Sequence, residues 1–151
     1  MEIKKILFPT DLTEGSKAAL CMAADLVRKY CSKLYVVHVL YDIASATGWY
    51  VPHVSIEEVY NDMEKKARGQ LEKTMLEELR GYKDMEFAVL RGNPSQEILK
   101  FAGEQDVDLI VMGTHGRTGL DKVIFGSTAQ KVVRHSKYPV LTVRAPQELG
   151  Q

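Results

Sequence analysis

Between Val111 and Thr128 the chain reads Val-Met-Gly-Thr-His-Gly-Arg-Thr-Gly-Leu-Asp-Lys-Val-Ile-Phe-Gly-Ser-Thr, four glycines in one stretch that ends on a hydroxyl pair. That composition suits an anion. The run from Asp108 to Met112 has the length and β-branched content of a buried strand, and Gly113 ends it, so a loop leaves the strand's carboxyl end. Gly116 permits positive φ or close backbone approach. Gly126-Ser127-Thr128 opens a helical pattern, where the first amides lack intrahelical acceptors and the dipole is positive. The amides of Gly126, Ser127 and Thr128 and the two hydroxyls are therefore candidate phosphate ligands, with Gly113 and Gly116 admitting sugar and phosphate against the backbone. Arg117 and Lys122 lie inside the loop, where either can meet phosphate charge or stay solvated. His115 is the loop's acid or base candidate, but no Ser, Cys or second carboxylate in the sequence pairs with it, so it carries no catalytic assignment.

The second cluster lies near the amino terminus. Ile3 to Phe8 reads as a short buried strand closed by Pro9, which leaves Thr10 and Asp11 at its carboxyl end. Asp11 can accept from sugar hydroxyls or cap the following helix. That helix starts with Thr13 as cap, buries Leu20, Ala23, Ala24 and Val27, and carries Arg28 and Lys29 in its last turn. Leu34 to Leu40 is a second strand, apolar throughout except for His38, which reads as a hydrogen-bonded core or site-edge residue. Tyr41 to His53 is an irregular connection with no role legible in it. Ser55 and Glu58 form a capping box for a long helix ending near Gly81. Its charged face, Glu57, Glu64, Lys65, Lys66 and Lys73, reads as solvated. Glu86 to Arg91 is a third strand, and Gly92-Asn93-Pro94 turns into a helix capped by Asn93 with Ile98, Leu99 and Ala102 inward. A fourth strand (Val107 to Met112), the glycine loop, a helix from Ser127 to His135 and a last strand, Pro139 to Val143, complete a βαβαβαβαβ order.

That order predicts an α/β fold, a doubly wound and mostly parallel five-stranded sheet flanked by helices. Ligands of such sheets collect beyond the carboxyl ends of the strands where the strand order reverses, which sets the Pro9 to Asp11 turn beside the Met112 to Gly116 turn. A chain of 151 residues is the size of a single domain. Its 20 basic and 20 acidic residues cancel, which argues against nucleic acid or an anionic membrane as a partner. No apolar run approaches the roughly 20 residues of a membrane span, and Met1 to Lys5 has no signal-peptide pattern, so a cytoplasmic location is expected. Cys21 and Cys31 lack metal-ligand spacing and read as free structural thiols. His38, His53 and His135 also lack such spacing, so no protein metal site is expected.

The glycine spacing at 113, 116 and 126, followed by Ser127, resembles the nucleotide loop of the ATP-binding branch of the universal stress protein family. Lys4-Lys5-Ile6-Leu7-Phe8-Pro9-Thr10-Asp11 is similar to that family's first strand and acidic adenosine contact, and the likeness runs from about Ile3 to Arg144. The resemblance implies a Rossmann-like, adenine nucleotide alpha-hydrolase-like sheet. It implies ATP as ligand, with AMP and ADP left open, and Mg2+ or Mn2+ held through the phosphates. It also implies that Val39, chiefly through its backbone, and Met112 bound the adenine, and that the chain forms a homodimer through its last strand. Two departures stand out: Leu12 where a small residue is common, and Thr128 where an apolar one is frequent.

The expectation is an ATP-binding stress-response regulator whose nucleotide and dimer state is presented to an unidentified protein partner. A slow ATPase or nucleotidyl enzyme on the same fold is the alternative. A dinucleotide module is disfavoured because Pro-Thr-Asp, not Gly-x-Gly-x-x-Gly, follows the first strand. A phospho-acceptor receiver would need an aspartate after the third strand, where Arg91-Gly92-Asn93 stands.

Overall fold

The computed structural model describes residues 1–42, 55–115 and 125–146. Within them β1 (Lys5–Pro9), β2 (Lys33–Leu40), β3 (Met85–Arg91), β4 (Leu109–Gly113) and β5 (Val140–Val143) form one sheet in the order β3-β2-β1-β4-β5. Every pairing is parallel. Helices α1 (Lys17–Tyr30), α2 (Ile56–Glu78), α3 (Pro94–Gln105) and α4 (Ser127–His135) alternate with the strands. The α/β doubly wound architecture predicted from the sequence is thus the one observed.

Strand addition runs outward from β1 through β2 to β3, then returns to the other side of β1 for β4 and β5. With crossovers of one hand, that reversal moves the helices to the opposite face of the sheet. The packing agrees. Ile6, Phe8, Leu34, Val36 and Val111 meet Leu20, Val27, Leu71 and Met75 of α1 and α2. Their strand neighbours Leu7, Tyr35, Val37 and Ile110 point the other way, against Ile98, Phe101 and Val132 of α3 and α4. Both faces are covered, which is why these strands are apolar without alternation.

The element ends follow local chemistry. Ser55 Oγ accepts the Glu58 amide at 3.4 Å, and Asn93 Oδ1 accepts the Gln96 amide at 3.3 Å with Pro94 in the first turn. β1 begins later than predicted and includes Pro9. There the missing N–H falls at the strand's end, and the Thr10 amide resumes pairing with the Val37 carbonyl at 2.9 Å. Thr13 precedes a single 3-10 turn, Glu14–Ser16, rather than α1 itself, and its side chain makes no cap bond.

One expectation here needs correction. Cys21 and Cys31 are free but exposed, not packed as small core hydrophobes. Desolvation and the Glu78 carboxylate 3.8 Å away hold the Cys21 thiol above its ordinary pKa. The charged face of α2 is solvated as expected, with Glu57, Lys65, Lys66 and Lys73 exposed, and its Glu57 and Glu64 carboxylates lie 3.1 Å and 4.0 Å from the Arg91 guanidinium of β3. Among the described residues no helix is long and apolar enough to cross a membrane. From residue 43 onward the irregular connection lies outside the described residues.

Candidate functional site

Parallel pairing of β1 with β4 brings Ile6 opposite Leu109 and Leu7 opposite Ile110, so the chains leaving the two strands emerge side by side. A cavity of about 500 Å³ opens there, at the carboxyl end of the sheet. Pro9, Thr10 and Asp11 line it from β1, and Val39 from β2. Met112, Gly113 and His115 line it from β4 and the residues after it, and Gly126, Ser127 and Thr128 from the start of α4. The structure therefore gathers every described residue of the sequence-derived set around one crevice. Gly116, Arg117 and Lys122 lie outside the described residues.

The β1 turn holds Asp11 in an unequal way. Its Oδ1 accepts from the Thr13 amide at 3.0 Å and from the Thr13 hydroxyl at 2.6 Å. Oδ2 is buried and, among the described residues, has no hydrogen-bond partner. A buried carboxylate oxygen without a donor is costly, so this atom marks the place where a ligand hydroxyl is most welcome. The local reading of Asp11 as helix cap accounts for one oxygen only, and for a turn rather than a helix. Leu12, the first departure from the family pattern, has φ +63° and packs its side chain against the core. A left-handed leucine costs roughly 1–2 kcal/mol, so this turn stays folded only because its neighbours hold it.

On the same cavity, α4 begins as predicted, with Gly126 at the N-cap in extended conformation and no side-chain cap. The Gly126 amide donates to the Thr114 carbonyl at 2.6 Å, closing the loop. This corrects the expected trio of phosphate donors, because one of the three amides is engaged. The Gln130 amide pairs with the Gly126 carbonyl, so among the described residues the leading amides of the helix without an acceptor are those of Ser127, Thr128 and Ala129. Ala129, absent from the sequence reading, also lines the cavity.

Gly113 has a reason beyond any ligand. A Cβ placed on it would stand 3.3 Å from the Gly15 carbonyl oxygen, closer than ordinary van der Waals contact, so the glycine lets the 3-10 turn pack against the end of β4. His115, which the sequence left without an orienting partner, has its Nδ1 2.9 Å from the Thr114 hydroxyl.

The floor of the cavity is apolar, built by Val39, Leu40, Met63, Ile98 and Met112. Ile98 was legible as an inward position of its helix, but nothing in helical spacing tells which inward residue reaches a crevice. The end of α2 that carries Met63 is fastened to the sheet by Arg91. Its guanidinium lies 4.5 Å from the Tyr60 ring centroid, while the Tyr60 hydroxyl donates to Asp42 at 3.0 Å. Among the described residues no group of three or more His, Cys, Asp or Glu side chains converges as metal ligands would.

An open parallel sheet with a helix amino terminus and an acidic turn lining one crevice at its switch point defines the class of doubly wound crevice proteins. The sequence profile of the Universal stress protein family matches residues 2–144, and the chain belongs to that family. Universal stress protein MJ0531 of Methanocaldococcus jannaschii is 33% identical over 151 residues, covering 96% of this chain and 84% of the relative. Universal stress protein MJ0577 of the same organism is 34% identical over 155 residues, covering 93% of this chain and 94% of its own. The solved MJ0577 structure superposes with a TM-score of 0.77 at 29% identity, covering 98% of this chain and 100% of the other. The universal stress protein of Archaeoglobus fulgidus in complex with dAMP shares the fold, with a TM-score of 0.66 at 22% identity over 95% of this chain and 100% of its own.

Proposed function

We propose that this chain is a regulatory protein that binds ATP across the switch-point crevice and presents its nucleotide and dimer state to a protein partner. The observation that carries the reading is the pairing, in one cavity, of an unpartnered buried carboxylate oxygen with an open helix amino terminus across an apolar floor. Those three surfaces match the three parts of a nucleotide. Asp11 Oδ2 receives ribose hydroxyls, Met112 and Val39 enclose the adenine, and the Ser127 and Thr128 amides and hydroxyls face the phosphates. Pro9 and Thr10 shape the sugar end, and Gly113 and His115 border the path to the phosphates. The glycine loop through Gly116 and Arg117 completes the set by resemblance. Mg2+ or Mn2+ would be held through the phosphates of the nucleotide, because divalent ions of this kind sit on substrate phosphates more readily than in protein-only cages. The dAMP complex of the Archaeoglobus relative supports an adenine nucleotide as the ligand class.

The dimer forms through β5, an edge strand whose residues are all partly exposed. Exposed edges of this kind are usually covered in proteins that stay soluble. Residues 1–151 act as a single nucleotide-binding unit in the cytoplasm, a reading that needs neither nucleic acid nor membrane as a partner.

The test is mass spectrometry of small molecules released on denaturing the purified protein, joined to calorimetric titration with Mg-ATP. A co-purified adenine nucleotide and a dissociation constant near micromolar, about −8 kcal/mol, are expected. A purified protein that carries no nucleotide and gives no heat with ATP at millimolar concentration refutes the reading.

A further inference from the structure

His38 is buried, with 4% of its surface exposed, and lies against the candidate site without belonging to the residues assigned to the ligand. Its Nδ1 stands 2.8 Å from the Thr10 carbonyl oxygen. A carbonyl only accepts, so the proton of this bond sits on Nδ1 in the neutral ring and in the cation alike. From this geometry we infer that His38 is a positioning residue for Asp11. It acts by fixing the peptide plane between Thr10 and Asp11.

The Thr10 carbonyl and the Asp11 amide share one rigid plane, so a donor on the first sets the origin of the second. Thr10 is held at each of its polar groups. Its amide donates to the Val37 carbonyl at 2.9 Å, its hydroxyl lies 3.0 Å from Ser16 Oγ and accepts the Leu12 amide at 3.1 Å, and its carbonyl takes the His38 proton. The adjoining Leu12 is left-handed at φ +63°. Strain of that kind persists only where the surroundings over-determine it. His38 supplies the side-chain constraint that comes from a different strand, and it ties the acidic turn to β2. Without the Nδ1–H a buried carbonyl loses its donor, Leu12 can relax, and the Asp11 carboxylate moves off its line to the cavity.

The effect on affinity rests on the nucleotide reading proposed above; the effect on the turn does not. The experiment uses the full chain with His38→Asn, whose amide can take the place of Nδ1–H, and His38→Gln, whose amide falls nearer the Nε2 position. ATP binding should weaken about tenfold in His38→Gln and stay within about threefold of wild type in His38→Asn. In an Asp11→Asn background the same His38→Gln change should cost no more than about twofold, because the residue through which His38 acts has already lost its charge. Amide hydrogen exchange at Leu12 and Thr13, whose N–H groups bond to Thr10 Oγ1 and Asp11 Oδ1, is read without nucleotide. It should quicken about tenfold in His38→Gln alone. Equal affinity losses in both variants, additive losses with Asp11→Asn, or unchanged exchange in His38→Gln each overturn the inference. If wild type binds no adenine nucleotide, the functional reading falls, and the exchange rates alone decide the role of His38.

Discussion

Replacing Asp11 with asparagine separates a ligand contact from a structural one, because the two carboxylate oxygens do different work. In Asp11→Asn the amide oxygen can still accept from the Thr13 amide and hydroxyl, now 3.0 and 2.6 Å from Oδ1. Those bonds lose their charge assistance, while the orphaned Oδ2 becomes an amide nitrogen. The opposing changes leave the stability of the nucleotide-free protein within about 1 kcal/mol of wild type. For ATP the exchange is one-sided, since an acceptor facing the ribose hydroxyls is replaced by a donor. Hydrogen bonds to charged groups contribute about 1.5–3 kcal/mol, so affinity should fall roughly 10- to 150-fold. Asp11→Ala removes the Thr13 bonds as well, and should lower the stability of the nucleotide-free protein by about 1–3 kcal/mol on top of the affinity loss. Calorimetric titration with Mg-ATP gives the affinities, and thermal scans without nucleotide give the stabilities. Any preference of wild type for ATP over its 2′- and 3′-deoxy analogues should collapse in Asp11→Asn. An Asp11→Asn protein that binds ATP like wild type, or that loses stability as heavily as Asp11→Ala, refutes the assignment of Oδ2 to the ligand.

Gly126→Asp should divide stability from binding in the same manner. Gly126 sits at an N-cap with φ −68° and ψ 158°, open to any residue, so aspartate there should hold the stability or raise it by a few tenths of a kcal/mol. Its carboxylate repels the phosphates, and ATP affinity should drop more than about tenfold in the same titration. The dimer is best tested on the outer backbone of β5, because Leu141 and Val143 also pack against the core. The Ile110 and Thr114 amides donate to the Pro139 and Val143 carbonyls, so the alternation of a parallel ladder turns the Val140 and Thr142 amides outward. Thr142→Pro should leave the fold intact and give a monomer in light scattering, and a variant that remains dimeric removes β5 from the interface. Hydrolysis should be slow, well under about one per second, because a phosphate cradle alone does not orient a water or place charge on the γ-phosphate. Single-turnover release near one per second that vanishes in His115→Ala would establish an enzyme instead.

The parts of the fold that were legible in the sequence are those set by neighbours in the chain. Asn93 and Pro94 start α3 because a side-chain acceptor and a preset φ act within three residues. α4 begins at Ser127 without such help, where an uncapped glycine precedes a helical pattern. The alternation of strands and helices then restricts the topology to a few sheets, and the acidic turn and the glycine loop meet wherever the strand order reverses. The contacts that escaped join residues far apart in sequence. Arg91 read as the end of a strand, yet it grips Glu57, Glu64 and the ring of Tyr60, and so sets the wall that brings Met63 to the cavity. No local pattern records a partner on another element.

Gly113 shows why the site was less legible than the fold. A glycine after a buried strand announces that something approaches the backbone closely, but not what approaches. The sequence offered a sugar or a phosphate, while in the fold the Gly15 carbonyl oxygen stands 3.3 Å from where a Cβ would lie. Asp11 carries the opposite ambiguity. An acidic residue two positions before a threonine is commonly an Asx turn, and Oδ1 makes that turn here. Only the second oxygen, buried and without a donor among the described residues, distinguishes a carboxylate kept for a ligand from one kept for its own loop. That distinction depends on what the rest of the sheet places around the atom. It becomes visible only after β1, β2 and β4 have been set side by side.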